Sequence, residues 1–265
     1  MSGRIPTRGA FLAILVLAAL LPATAFAAAP TEVIYNSIPT PLPGNVPSLG
    51  FAATSTSEFG GAVQLAAPSQ TTTKVSITMS SWACQSGGAE DGSCVSEMGS
   101  KFEWPLSLHI YALGVGGTIG TQVASLTKTF KLPYRPSASS KCSNGGWYRM
   151  GSCFHGKLFK VSFALKGVTI PTQSIVALAY NTSNYGAHPA APQPCNTSNN
   201  CPYDSLNVGL TGSPTVGTAP LPEDAFLSST WGGAYCDNGV TGTGSFRLDA
   251  GCWGGYQPQI EIVTG

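Results

Sequence analysis

The chain has 265 residues, only 9% of them charged, and a formal net charge of +1. Ordinary globular proteins carry roughly 25% charged residues, and so weak a field offers no pull toward nucleic acid or an anionic membrane surface. Glycine (32) and proline (20), with abundant serine, threonine and asparagine, supply turns and polar strand faces without charge, a composition suited to an extracellular surface and neutral ligands.

The N-terminus reads as a targeting segment. Arg4 and Arg8 form a positive region, Ala10 to Leu21 an apolar run, and Ala25-Phe26-Ala27 a small-x-small cleavage site. The expected division is a signal peptide over 1–27 and a single domain over 28–265. The apolar run is shorter than the roughly 20 residues a membrane span needs, and no later stretch qualifies.

Past Thr31, apolar residues recur at period two. Val33 and Tyr35 mark a first strand, followed by a Pro-rich linker from Pro39 to Pro47. Val63 and Leu65 mark another. Val75, Ile77 and Met79 alternate with Lys74, Ser76, Thr78 and Ser80, a half-buried strand. Phe102, Trp104, Leu106, Leu108 and Ile110 give the longest alternation, in which Pro105 argues for an edge strand or a bulge.

Thr121 to Leu132 and Phe159 to Leu165 continue the pattern. Ile175 to Tyr180 is an unbroken apolar run, as in a strand covered on both faces. Leu206, Val208 and Leu210 alternate with Asn207 and Gly209, giving a strand with one wet face. Thr215 to Asp224 reads as a Pro-punctuated connection, and Phe246 to Ala250 and Ile260 to Ile262 as the last strands. No segment carries sustained helical periodicity. The expected fold is therefore all-β, a two-sheet, jelly-roll-like β-sandwich with disulfide-tied loops.

Eight cysteines fall as four close pairs, so sequential bridging is expected: Cys84–Cys94, Cys142–Cys153, Cys195–Cys201 and Cys236–Cys252. There is no C-x-x-C pair and no zinc-finger spacing.

Catalytic motifs are missing: no nucleophile elbow, H-E-x-x-H, EF-hand loop or P-loop. The adjacent carboxylates Glu90-Asp91 and Glu223-Asp224 do not have the spacing of a glycosidase pair on one strand face. His109 lies on a polar strand face near Tyr111, where a base could serve lyase-type chemistry. Asp204, with Asn181, Asn184 and Asn207 nearby, is the one candidate calcium set, although a single carboxylate makes a poor calcium site and Asp204 also suits a turn cap. No cofactor is implied. Asn181-Thr182-Ser183 and Asn196-Thr197-Ser198 match the glycosylation acceptor pattern.

Aromatic residues cluster around the cysteines: Trp82, Trp147, Tyr148, Tyr203, Tyr235 and Trp253. Rings held on rigid loops suit stacking on sugar rings, and they equally suit plugging the ends of a sandwich. The ligand-contacting candidates are Trp147, Tyr148, Tyr185, Tyr203 and Trp253, with Trp147 foremost because Asn144-Gly145-Gly146 forms a turn that can push its ring outward.

The segments 53–60 (ATSTSEFG), Met79-Ser80-Ser81-Trp82, Pro133-Tyr134-Arg135-Pro136 and 179–183 (AYNTS) resemble a group of uncharacterised secreted bacterial proteins of similar length with an expected β-sandwich. The resemblance spans nearly all of the mature chain and implies no activity and no site residue. The leading expectation is a secreted or cell-surface binding module with an extracellular glycan as partner. The alternatives are a polysaccharide-active enzyme using the polar sheet face, and a structural envelope protein.

Overall fold

The computed structural model describes residues 1–3, 31–68, 70–190, 201–211 and 213–265. Residues 4–27 of the proposed signal segment lie outside these residues, as do Cys195, with the expected Cys195–Cys201 bridge, and the acceptor at Asn196.

Fifteen strands and no α-helix occur among the described residues. In chain order they are β1 (Val33–Asn36), β2 (Ser48–Gly50), β3 (Thr56–Gln64), β4 (Gln70–Ser81) and β5 (Lys101–Leu113). Next come β6 (Ile119–Pro133), β7 (Trp147–Arg149), β8 (Ser152–Phe154), β9 (Lys157–Ile170) and β10 (Gln173–Ala179). The last five are β11 (Leu206–Thr211), β12 (Ala225–Ser229), β13 (Arg247–Asp249), β14 (Gln257–Pro258) and β15 (Ile260–Thr264).

Two antiparallel sheets form a sandwich. One runs β1-β15-β4-β11-β14, with β9 along the other flank of β4 and β2 on β11; the other runs β13-β12-β3-β10-β5-β6. The chain crosses repeatedly between them, β3 to β4 to β5 and β9 to β10 to β11 to β12, which is the jelly-roll character. Strands β7 and β8 make a separate hairpin.

The alternation visible in the sequence fixes the inner faces. Leu106, Leu108 and Ile110 of β5 and Val176 and Leu178 of β10 face Val75, Ile77 and Met79 of β4 and Val161, Phe163 and Leu165 of β9 in one continuous core. Each fully buried aliphatic side chain contributes about 1.5–3 kcal/mol relative to exposure. The run at Ile175 is covered on both faces as expected: Val176 and Leu178 belong to the central core, and Ile175 is buried on the other face. On its outer side a small second cluster gathers Ala62, Ile175 and Phe226 under Leu221, Phe246 and Leu248.

Three of the expected bridges are present: Cys84–Cys94, Cys142–Cys153 and Cys236–Cys252. Each closes a short loop, for which the chain-entropy account gives about 3 kcal/mol.

Of the two readings offered for Pro105, the edge strand needs correction, because β5 pairs with β10 and β6 at once. The strand does carry register shifts against β6, but they fall at Ile110–Leu113, away from Pro105. Its pairing with β10 stops at Ser107↔Ala179, so Pro105 stands past the end of β10 and one flank has no ladder to break there. Strand β12 begins directly after the Thr215–Asp224 connection, is absent from the sequence reading, and has all five of its residues buried. Its apolar stretch is only Ala225-Phe226-Leu227, too short for a period to show.

Candidate functional site

One end of the sandwich gathers the functional-looking loops. Strand β4 finishes there at Ser81, opposite Leu206 of β11 and Lys157 of β9. In the other sheet Glu58 of β3 and Ser107 of β5 both pair with Ala179, the last residue of β10. Aromatic stacks brace this end. Phe51 lies on Tyr180 with ring centres 4.0 Å apart, and Trp104 lies on Tyr203 at 3.7 Å. Polar atoms of the same rings are used as well: Tyr180 donates to Leu206 O at 2.6 Å and Trp104 Nε1 to Asn181 O at 2.9 Å.

Arg135 pins two disulfide loops together. Its side chain is fully buried, and its guanidinium donates to Ala89 O at 2.7 Å, Gly145 O at 2.6 Å and Pro136 O at 3.1 Å. Burial lowers its pKa from the ordinary arginine value, and the three carbonyl dipoles replace the water it has lost. Ala89 lies in the loop closed by Cys84–Cys94 and Gly145 in the loop closed by Cys142–Cys153.

The loop that Arg135 holds forms a wall of a groove of about 780 Å³. Asn45, Ser48, Trp82, Glu90, Asp91 and Asn207 contribute to its lining, and no lysine or arginine does. The Asp91 carboxylate accepts from Ser93 Oγ at 2.6 Å and Ser93 N at 2.9 Å, and these bonds lower its pKa. Asn207 is oriented by donating to Ser48 Oγ at 3.0 Å. Trp82 stacks on His155 with ring centres 5.4 Å apart. Behind it Ser80 Oγ, Trp82 Nε1 and His155 Nδ1 are buried without a partner among the described residues. Gly156 is required there, since a Cβ would stand 2.0 Å from Ser80 Oγ and 2.7 Å from Trp82 Nε1.

A second concavity, about 400 Å³, opens on the outer face of the β3-β10-β5 region under the segment 181–188. Glu58 and His109 lie on strands separated by β10, and they meet because Ala177 and Ala179 keep β10 low between them. Glu58 Oε1 accepts from His109 Nδ1 at 2.8 Å and from the Tyr111 hydroxyl at 3.0 Å. Burial first, and then the Glu58 charge and hydrogen bond, push the Tyr111 pKa strongly upward, so Tyr111 stays a neutral donor.

The aromatic candidates do not form one platform. Trp147 is only 7% exposed; its indole N–H donates to Gly156 O and its ring leans on Phe154, so it plugs the hairpin instead of facing outward. The turn at Asn144-Gly145 does adopt the left-handed backbone, but it folds the ring in. Tyr203 is equally buried under Trp104. Tyr148 is 41% exposed with Lys141 over its ring. Tyr185 is half-buried in the 181–188 segment, its backbone tied to Thr182.

Trp253 is exposed toward the opposite end, beside Gly254 and Gly255, which line a third concavity of about 430 Å³. Trp82, an aromatic the sequence flags only as a neighbour of Cys84, is the ring that lines the large groove.

The oxygens considered for calcium do not converge. Both Asp204 oxygens accept from Ser183, its N–H at 2.7 Å and its hydroxyl at 2.5 Å. Asn181 Oδ1 accepts the N–H of His188, and Asn207 turns to Ser48. Asp204 instead fastens the 181–188 segment to the turn before β11.

The fold and its grooves define a two-sheet β-sandwich with a polar, loop-built concavity at one end. Comparison with family models, curated proteins and solved structures found no match to this chain.

Proposed function

We propose that the protein is an extracellular carbohydrate-binding β-sandwich whose glycan lies in the groove between Asn45 and Asp91. The observation that carries this reading is the groove's lining: an indole ring, amides and hydroxyls, with Glu90 and Asp91 as the only charges. Sugar recognition uses this mixture, an aromatic surface for the C–H face of a pyranose and fixed neutral polar groups for its hydroxyls. The volume falls within the roughly 300–1,000 Å³ of small-molecule sites. Arg135 and the Cys84–Cys94 bridge hold the wall in place before binding, which reduces the entropy lost on association.

Secretion is supported by the N-terminal signal-like sequence and by the disulfides, which persist in oxidising compartments. No helix among the described residues is long and apolar enough to cross a membrane.

The test is retention on a panel of insoluble polysaccharides. The reading requires that at least one neutral polysaccharide retains the protein, and that Asn45→Ala and Trp82→Ala each weaken retention about tenfold while Trp82→Phe keeps part of it. Retention by none, or retention indifferent to all three substitutions, overturns it.

A further inference from the structure

We propose that the smaller concavity is a hydrolytic site for short-chain carboxylic esters, with His109 as general base toward water. This activity is independent of glycan binding in the large groove. The geometry carries it in three steps.

First, the imidazole is set in one tautomer. A carboxylate only accepts, so in the neutral imidazole the 2.8 Å contact with Glu58 places the proton on Nδ1, and among the described residues no protein partner takes the Nε2 lone pair. Glu58 is itself fixed by the Tyr111 hydroxyl at 3.0 Å, and the His109 and Glu58 side chains are only 22% and 13% exposed. This is the orienter-and-base half of a catalytic triad.

Second, the base faces a built pocket. Ala177 and Ala179 lie between the strands of Glu58 and His109, and the wall at 181–188 is held by Asp204–Ser183 and Trp104–Asn181. Ser107 and Thr127 hydroxyls share one hydrogen bond at 2.7 Å on the same surface, which leaves one hydroxyl proton free to donate to a carbonyl oxygen.

Third, the lining selects the substrate. Neither lysine nor arginine lines the pocket, and its second imidazole, His188, is exposed on the rim, which disfavours phosphate and sulfate esters. Its single carboxylate is committed to His109 and Tyr111, so a two-carboxylate glycoside mechanism has no second member. A carboxylic ester is the substrate that one neutral base and a modest oxyanion donor suffice to cleave.

No serine or threonine hydroxyl bonds His109 among the described residues, so the nucleophile is water. His109 Nε2 takes a proton as the water oxygen adds to the acyl carbon. The C–O ester bond then breaks, and the departing alkoxide recovers that proton from Nε2. The products are a carboxylic acid and an alcohol, and Glu58 stabilises the imidazolium between the two transfers.

The experiment measures hydrolysis of p-nitrophenyl acetate by the purified secreted chain, with p-nitrophenyl phosphate as the contrasting substrate. The expected result is saturable acetate hydrolysis and none of the phosphate. His109→Gln should remove the saturable component. Glu58→Gln, acting through His109, should lower kcat about 100-fold and leave KM within about threefold. Ala187→Leu, which narrows the pocket from the 181–188 wall without touching the dyad, should raise KM. Absence of saturable hydrolysis in the wild type overturns the proposal, as does an unchanged rate in a folded His109→Gln. Should His109→Gln fail to fold, an unchanged kcat/KM in Ala187→Leu overturns it instead.

Discussion

Arg135 and Ala89 are joined by a 2.7 Å hydrogen bond from a fully buried guanidinium to a loop carbonyl, 46 residues apart in sequence. The bond makes the wall of the large groove depend on a residue outside it. Replacing Arg135 by Met leaves three carbonyls facing one another, at a cost of about 3 kcal/mol or more. Urea unfolding should show the midpoint falling with an unchanged slope. Arg135→Lys should recover little, because an ammonium cannot reproduce the planar fork that reaches carbonyls on both loops. A stability within about 0.5 kcal/mol of wild type in Arg135→Met would show that the loops hold without it.

Trp147→Ala is expected to destabilise by about 3–5 kcal/mol, the range for removing a buried large aromatic. Trp253→Ala, at a ring 52% exposed, should stay within about 1 kcal/mol. Thermal melts of the two variants separate a plug from a surface ring, and equal losses would contradict the placement.

Gly156→Ala tests the packing behind Trp82. The added methyl meets Ser80 Oγ at 2.0 Å and Trp82 Nε1 at 2.7 Å, so the Ser80 hydroxyl and the Trp82 ring must shift, at about 1–3 kcal/mol. The same shift tilts Trp82, so retention on polysaccharide should weaken along with stability. A neutral melt would show that the strands accommodate the methyl freely.

Acid should expose the Asp237–Arg247 pair. Burial opposes ionisation of Asp237, but bonds from Arg247, Thr241 and the Gly239 N–H, with the Arg247 charge, outweigh it and hold the carboxyl at about 2. A folded pKa below the unfolded value of about 3.9 means that this stabilisation is complete above pH ~4 and is lost as pH falls toward 2. Asp237→Asn should therefore melt below wild type at pH 7 and converge with it as pH falls from about 4 to 2. A gap that stays constant over that window would contradict the assignment.

Much of the fold was legible because period-two alternation is a local signal. In β5 the inward Leu106, Leu108 and Ile110 and the outward Ser107 and His109 are read directly from the sequence. Cysteine spacing was equally local for the three bridges present. What failed was orientation. Nothing in Asn144-Gly145-Gly146 says whether the turn sends Trp147 outward or folds it onto Phe154, because that depends on where Gly156 O lies.

The site was only half legible for the same reason. His109 and Tyr111 were visible as neighbours on one strand face, but Glu58 joins them from a strand two places away across β10. The low profile of Ala177 and Ala179, which permits that contact, has no meaning until the register is known. Arg135 stood out only within a four-residue resemblance, since its partners Ala89 and Gly145 are backbone carbonyls and leave no trace in side-chain identity.

The central claim is that a neutral glycan occupies the groove at Asn45, Trp82 and Asp91. Hydrogen exchange on the protein held by a retaining polysaccharide tests it most directly. The account predicts slowed exchange in peptides covering 45–54 and 88–91, with the β7–β8 hairpin at 147–154 unchanged. Slowing confined to the hairpin or to the region around Trp253, with 45–54 and 88–91 unaltered, would contradict it.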